Sequence, residues 1–346
     1  MHVTSESMPG VETAKGKKRT VKAIVIERHG GPEVLQLKEI EIAPPGRGQA
    51  LVRLGMAGVN FVDIHQRRGT YVGPLPFTPG QEGAGVVEEV GEDVTVVKPG
   101  NRVAYAGQPG SYAEASLVQA DSLIPLPAEL SIEQGAAFPL QGMTAHYLIH
   151  EFHKPTAESV VLIHAAAGGM GLLLVQWARH FGARVIGTVS NDEKARAARQ
   201  AGATDIIVYT QQNFIAETKR LTNEHGADLT IDGVGKATFG GNLEAAALRG
   251  HIVIFGASSG PADPILPNSL MARSLSISGG TLQNYLRTRD ELMWRANDVI
   301  AGIEHGWLKL RICRVLPLAE AAEAHRLLES RQSIGKILLS TGVVIA

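Results

Sequence analysis

Cysteine is almost missing from this chain of 346 residues. The one present, Cys313, has no partner for an intrachain disulfide and cannot contribute to a multi-cysteine zinc site. In the apolar stretch 310–316 it reads as a packed small hydrophobe rather than a nucleophile. Excess charge of either sign is missing too: 33 basic and 34 acidic residues leave a net charge of −1, and aromatic residues make up 5%. A nucleic-acid partner, which needs a basic face and stacking rings, is therefore not expected. No apolar run reaches the ~18 residues of a membrane helix, so no membrane partner is expected. The start has no charged, apolar, small-residue leader, and together these absences point to a cytoplasmic protein. What remains is globular in composition, 44% apolar and 19% charged, with a length suited to two or three domains.

Residues 1–20 differ from the rest. They are polar, with Lys15, Lys17, Lys18 and Arg19 close together, and read as a flexible tail in which Met8 is a second possible start. From residue 20 to about 127 the texture is β. Short β-branched runs are punctuated by Gly30-Gly31-Pro32, Pro44-Pro45-Gly46 and Pro99-Gly100, the pattern of a small, highly curved barrel. Ser131 and Gln134 form a capping box that opens a helix running toward Tyr147. Further helices are predicted over 288–305 and 318–330. A last strand over 336–340 returns to the barrel, so an α/β unit is expected inside a β unit.

That α/β unit carries the strongest local signal. The apolar run Val160-Val161-Leu162-Ile163 ends in the small-residue turn His164-Ala165-Ala166-Ala167-Gly168-Gly169-Met170-Gly171, and a helical segment follows. Positions 166, 168 and 171 have the spacing of a dinucleotide-binding turn, with Ala166 in the first slot. Gly168 lets the backbone approach a pyrophosphate, Gly171 lets the helix pack on the strand, and the helix N-terminus supplies free N–H groups. Strands over 184–189, 205–209, 228–232 and 251–255 alternate with helices over 192–200, 213–223 and 237–248. Such alternation implies a doubly wound parallel sheet. The second strand ends in Thr188-Val189-Ser190, without the acid that usually accepts from an NAD ribose. Ser190-Asn191-Asp192-Glu193 reads as the cap of the next helix, with Lys194 one turn in and able to reach a 2′-phosphate. NADPH is the expected cofactor.

These features together resemble the zinc-free NADPH:quinone oxidoreductases, the zeta-crystallin-like group of the medium-chain dehydrogenase/reductase superfamily. The resemblance covers residues 21–346. It is carried by Leu162, Ala166-Ala167-Gly168-Gly169, Gly171, Gln176 and Arg179, with support from Ala57-Gly58-Val59-Asn60-Phe61-Val62-Asp63, Gln81-Glu82-Gly83-Ala84-Gly85, Asp232-Gly233-Val234-Gly235, Phe255-Gly256-Ala257-Ser258-Ser259-Gly260 and Glu329-Ser330-Arg331. It implies a GroES-like β-barrel catalytic domain (21–143 and 285–346) with an inserted Rossmann domain (144–284). It further implies 2′-phosphate contacts from Ser190, Lys194, Tyr209 and Arg331, and other cofactor contacts from Asn60, Thr144, Gly168, Gly169, Met170, Phe255, Ser258 and Leu282. Tyr71 matches a tyrosine at the active-site cleft. The family often has tyrosine where His65 stands, a titratable side chain that can supply a proton. Zinc-dependent relatives place Cys at 60 and Gly-His-Glu at 80–82; here stand Asn60 and Gly80-Gln81-Glu82, so no metal is expected. His146, His150 and His153 have near-helical spacing with no carboxylate partner in view and read as a cluster at a domain surface.

Without a metal to act as Lewis acid, a simple ketone is a poor hydride acceptor, whereas a quinone or conjugated enone delocalises the incoming charge. Asn60, Tyr71 or water can donate to that charge, and no general acid is assigned. Reductases of enones or enoyl thioesters are the alternative. A cofactor-retaining structural or RNA-binding crystallin-like protein is the reading from another class. The 71–77 loop, with Pro74, Pro76 and Pro79 nearby, is expected to line the substrate pocket. The run Leu275-Ser276-Ile277-Ser278-Gly279-Gly280 reads as an uncovered edge strand, and a homodimer through it is expected.

Overall fold

The computed structural model describes residues 18–71 and 73–345; most of the expected N-terminal tail lies outside them. Arg19 and Thr20 are strand rather than tail, because Arg19–Val25 pairs antiparallel with Gln36–Ile42.

Two sheets organise the rest. In the first, six parallel strands lie in the order Asp205–Val208, Arg184–Val189, Val160–Ile163, Ala227–Asp232, Ala246–Ile254, Ser276–Gly279. The chain winds outward from Val160–Ile163 in both directions, so the ends of that strand and of Ala227–Asp232 flank the reversal point, where α/β sheets bind ligands. All four residues of Val160–Ile163 are buried, as a strand covered on both faces requires. The second sheet is built around Gln49–Val59, which pairs antiparallel with Glu82–Val90, Ala115–Gln119 and Lys336–Ser340. Its pairing with Glu82–Val90 shifts register twice, and Gly85 crosses so close that a Cβ there would lie 1.9 Å from the Arg53 carbonyl oxygen. Those shifts bend the sheet into the expected barrel-like form.

Several expectations need correction. The helix expected over 237–248 is shorter, Phe239–Ala245, and the next strand already begins at Ala246. Alanine is permissive in either state, and pairing of Ala246 with Ala227 decides for strand. The helix leading to Tyr147 is two helices, Ile132–Ala137 and Pro139–His150. Pro139 has no N–H to continue the first and instead starts the second. Ser131 and Gln134 do cap each other as expected, at 3.1 and 2.9 Å. Cys313 is exposed, not packed: it sits on the sheet-edge strand Ile312–Pro317, where only Leu316 turns inward.

The expected histidine cluster splits: His153 packs against His251, while His146 and His150 stack on each other, both His150 and His153 being half-buried. His146 is fully buried and finds its carboxylate from another helix, Arg289–Glu304: its Nε2 lies 2.9 Å from Asp298 Oδ2. Arg295 Nη1 donates to His146 Nδ1 at 3.0 Å, and a guanidinium has only donors, so Nδ1 is the acceptor and Nε2 carries the proton toward Asp298. His150 stacks on His146 at 4.0 Å between ring centroids, with Trp177 and Trp294 edge-on. Burial pushes His146 down to about 4. His146, His150 and Asp298 stand close enough to share a cation, yet the protonated Nε2 and the Arg295 guanidinium make the group a hydrogen-bonded seam between helices rather than a metal cage. Replacing Arg295 by Met leaves His146 Nδ1 and Glu151 unpartnered. It is expected to cost about 2–4 kcal/mol, read as a lowered denaturation midpoint in urea.

Candidate active site and cofactor crevice

The small-residue turn is set by close backbone contacts. Ala165 adopts φ +51°, and Gly168 is the N-cap of the helix Gly169–His180. A Cβ on Gly171 would lie 2.3 Å from the Ala165 oxygen, so only glycine lets helix and turn meet there. Ala166 is fully buried, and its methyl is tolerated because Gly187 faces it: a Cβ on Gly187 would come within 2.8 Å of Ala166 Cβ. Beneath the turn, His164 is held from two sides, by Thr188 Oγ1 at 3.0 Å and Asn242 Oδ1 at 2.6 Å. Asn242 Nδ2 donates to Asp232, so its oxygen must accept from His164 Nε2–H. Burial lowers the His164 pKa, which favours the neutral ring.

The turn opens onto a cavity of about 480 Å³ between the two sheets. Gly168, Gly169, Met170 and Gly171 form one wall, Ser190 and Tyr209 follow the ends of Arg184–Val189 and Asp205–Val208, and Lys194 lies in the first turn of the helix Asp192–Gln200. Phe255, Ser258 and Arg331 close another side. Ten of the expected cofactor residues thus share one crevice. Val59, Phe61, Gln141 and Ile337 complete it from the barrel side, and none of these four was expected as a site residue. Ser190 is not the helix cap: Asn191 Oδ1 accepts from Lys194 N at 2.9 Å, which leaves the Ser190 side chain to the crevice. Lys194 Nζ donates to the Arg331 carbonyl, and Arg331 Nη2 to the Ser258 carbonyl at 2.8 Å. Among the described residues neither cation forms an ion pair with a carboxylate. Burial lowers the Lys194 pKa.

The other expected residues lie off the cavity wall. Ala166 is under the turn, and Thr144 and Leu282 are buried. Asn60 is buried behind the wall. Its Oδ1 accepts from Lys336 Nζ at 2.7 Å, its Nδ2 donates to Glu82 Oε2 at 3.0 Å, and Lys336 Nζ also meets Glu82 Oε2 at 2.5 Å. An ammonium therefore fills the place where a metal would need anionic or imidazole ligands, and the donor set Asn60, Gln81, Glu82 does not fit zinc. His65 and Tyr71 sit together at the end of the helix Phe61–Arg68, ring centroids 5.2 Å apart, with Tyr71 half exposed. Burial, then Arg68, lowers the His65 pKa. Pro74, Pro76 and Phe77 are not on the cavity wall.

A second polar chain runs behind this helix and had no sequence signal. Asp63 Oδ2 accepts from Asn60 N at 2.8 Å and from Tyr112 OH at 3.0 Å; Tyr112 meets His325 Nε2 at 3.1 Å; His325 Nδ1 accepts from Arg67 at 3.0 Å. Burial and Arg67 push His325 down to about 3, while burial pushes Asp63 up to about 7. Between pH 6.5 and about 3 the unfolded chain takes up a proton on His325 that the native chain refuses, so stability falls as pH falls through that window. Asp63 acts oppositely between pH 3.8 and about 7, where the native form keeps a proton the unfolded chain has released. His325 and His146 together outweigh it. Denaturation midpoints are expected to drop between pH 6.5 and 4, with a shallower slope in His325→Leu, measured by urea unfolding across a pH series.

Comparison with known proteins agrees with this geometry. Residues 46–128 match the family model for the alcohol dehydrogenase GroES-like domain, and residues 169–296 match that for zinc-binding dehydrogenase. The chain is 40% identical over 321 residues to a quinone oxidoreductase of Pseudomonas aeruginosa, covering 92% of this chain and 99% of that one. It is also 40% identical over 328 residues to a 2-haloacrylate reductase of a Burkholderia species, covering 92% and 98%. The solved structure of Escherichia coli quinone oxidoreductase complexed with NADPH superposes with a TM-score of 0.90 at 37% identity, covering 92% of this chain and 99% of the other. A barrel-like sheet, a doubly wound sheet with a glycine turn at its reversal point, and near full-length identity of this size place the chain in the quinone oxidoreductase family of the medium-chain dehydrogenase/reductases.

Proposed function

We propose that this protein is an NADPH-dependent oxidoreductase that transfers hydride to quinones or other conjugated carbonyls without a metal. The observation that carries the reading is the pairing, on one crevice, of a glycine-lined helix N-terminus with Lys194, Tyr209, Arg331 and Ser190, the last at a strand end that lacks an acid. The turn offers N–H donors to a pyrophosphate, and the two cations suit a 2′-phosphate. The relative that is solved with NADPH supports this choice. When bound, NADPH supplies the hydride. The chain's part is to orient it against the acceptor, exclude water through Val59, Phe61 and Ile337, and donate to the developing oxyanion. Tyr71, His65 and water are the proposed donors. Asn60 supports them from behind, because Lys336 and Glu82 already engage its amide.

A second reading, reduction of activated carbon–carbon double bonds, is favoured by the 2-haloacrylate reductase relative. An NADPH-oxidation screen over quinones, enones, 2-haloacrylates and enoyl thioesters, with NADH as control, separates the two. Turnover is expected with NADPH on at least one conjugated acceptor and unchanged by a chelator. Cofactor binding with no acceptor turned over would favour the crystallin-like reading instead.

The division into 21–143 with 285–346 and 144–284 belongs to the same proposal, supported by the two separate sheets, as does a cytoplasmic location. No helix among the described residues is long and apolar enough to cross a membrane. We further propose a homodimer. Ser276–Gly279 is an edge strand of the parallel sheet, and Leu248, Leu266 and Met271 are exposed large apolar side chains of the same sheet and the segment leading to its edge. Light scattering is expected to give twice the chain mass of 36.8 kDa, and a Ser278→Pro variant, which blocks edge pairing, to shift it toward the monomer.

A further inference from the structure

Arg67 is fully buried, and no atom of it enters the proposed chemistry. Its guanidinium is fixed from three sides: Nε donates to the Gly30 carbonyl at 3.2 Å, Nη1 to His325 Nδ1 at 3.0 Å, and Nη2 to Glu329 Oε1 at 2.6 Å. Arg68 reaches the same Glu329 oxygen at 2.6 Å. Glu329 is the last residue of the helix Ala321–Glu329. Two residues later Arg331 leaves that helix at φ +58°, a left-handed conformation that a non-glycine residue keeps only when its surroundings impose it. From this turn the Arg331 carbonyl accepts from Lys194, and its guanidinium reaches the Ser258 carbonyl. The turn that carries Arg331 is thus held in front by Lys194 and behind by Glu329, and Glu329 is held by Arg67.

We propose that Arg67 is a positioning residue for the 2′-phosphate pocket: through Glu329 it fixes the Ser330-Arg331 turn and so sets the preference for NADPH over NADH without touching either. This rests on the NADPH reading above. The same guanidinium reaches back through His325, Tyr112 and Asp63 to the backbone N–H of Asn60, at the start of its own helix. One buried cation therefore stands between the helix that carries His65 and the turn that carries Arg331.

The test is calorimetric binding of NADPH and of NADH to the full chain, which needs no turnover. Arg67→Lys keeps the charge but loses the fork that grips Glu329. Glu329→Gln keeps the shape, loses the charge and lies partly exposed, so it decides the matter if the arginine variant fails to fold. Wild type is expected to prefer NADPH, and each variant to cut that ratio about tenfold while NADH affinity changes less than about threefold. In an Arg331→Gln background, Glu329→Gln is expected to have no further effect on the ratio. A folded variant that keeps the ratio, or loses both coenzymes equally, overturns the proposal while leaving the NADPH reading intact. A wild type that binds the two coenzymes equally overturns that reading, and the proposal with it.

Discussion

The structure depends on one buried carboxylate. Glu82 is fully buried and accepts from Lys336 Nζ at 2.5 Å, Asn60 Nδ2 at 3.0 Å and Leu140 N at 2.7 Å. Those donors belong to the strand Lys336–Ser340, the cap of the helix Phe61–Arg68 and the first turn of Pro139–His150. A buried charge is tolerable only when its partner and its remaining lone pairs are all supplied, and here each element has to arrive for that to hold. Gly58 lets the chain pass, since a Cβ there would lie 2.2 Å from Glu82 Oε2. The same contact decides the chemistry. Lys336 neutralises the acid and occupies Asn60, so among the described residues this trio leaves no carboxylate or imidazole free to ligate a metal there.

On the opposite side a second buried carboxylate, satisfied by uncharged donors, does comparable work. Asp232 accepts from Val234 N and Gly235 N with one oxygen and from Thr238 and Asn242 with the other. Asn242 then fixes His164, and His164 meets Thr188 below the glycine turn. A protonated His164 would have no acceptor at Nδ1 other than the Thr188 hydroxyl, and burial removes the solvent that would stabilise its charge. The ring directly below the glycine turn is therefore neutral and fixed, with Asp232 held behind it by four donors. In the proposed binding mode the attraction for phosphate comes from the helix end above and from Lys194 and Arg331 beside it.

Local chemistry was legible in the sequence wherever it settled the matter locally. The strand Arg184–Val189, the helix Asp192–Gln200 and the strand Lys336–Ser340 fall on the residues read from pattern alone, because turn residues and caps bracket them. Of the ten crevice residues named in advance, Gly168, Gly171 and Lys194 came from the strand, turn and helix in sequence, and the others from the family resemblance. What escaped depends on distant partners. Arg67 and His325 are 258 residues apart, Lys336 and Glu82 254, and nothing near any of them announces burial. His146 looked unpartnered because Asp298 lies on a helix far along the chain. Cys313 looked buried because an apolar stretch does not say that its strand is an edge. Asn60 was matched to the cofactor by position, but whether its amide is free depends on Lys336, which only the fold reveals.

The distribution of charge along the crevice narrows the proposed substrate more than the glycine turn does. At the phosphate end, Lys194 and Arg331 are cations without carboxylate partners among the described residues. At the barrel end, Lys336 and Glu82 cancel, and the nearby His65 has a pKa lowered by burial, which favours the neutral ring. An anionic coenzyme tail is drawn to one end, whereas no net charge waits at the other to stabilise a localised alkoxide. Hydride delivered there suits an acceptor that spreads the charge over its own π system. That favours quinones and conjugated carbonyls, the acceptors proposed above, over an unactivated ketone.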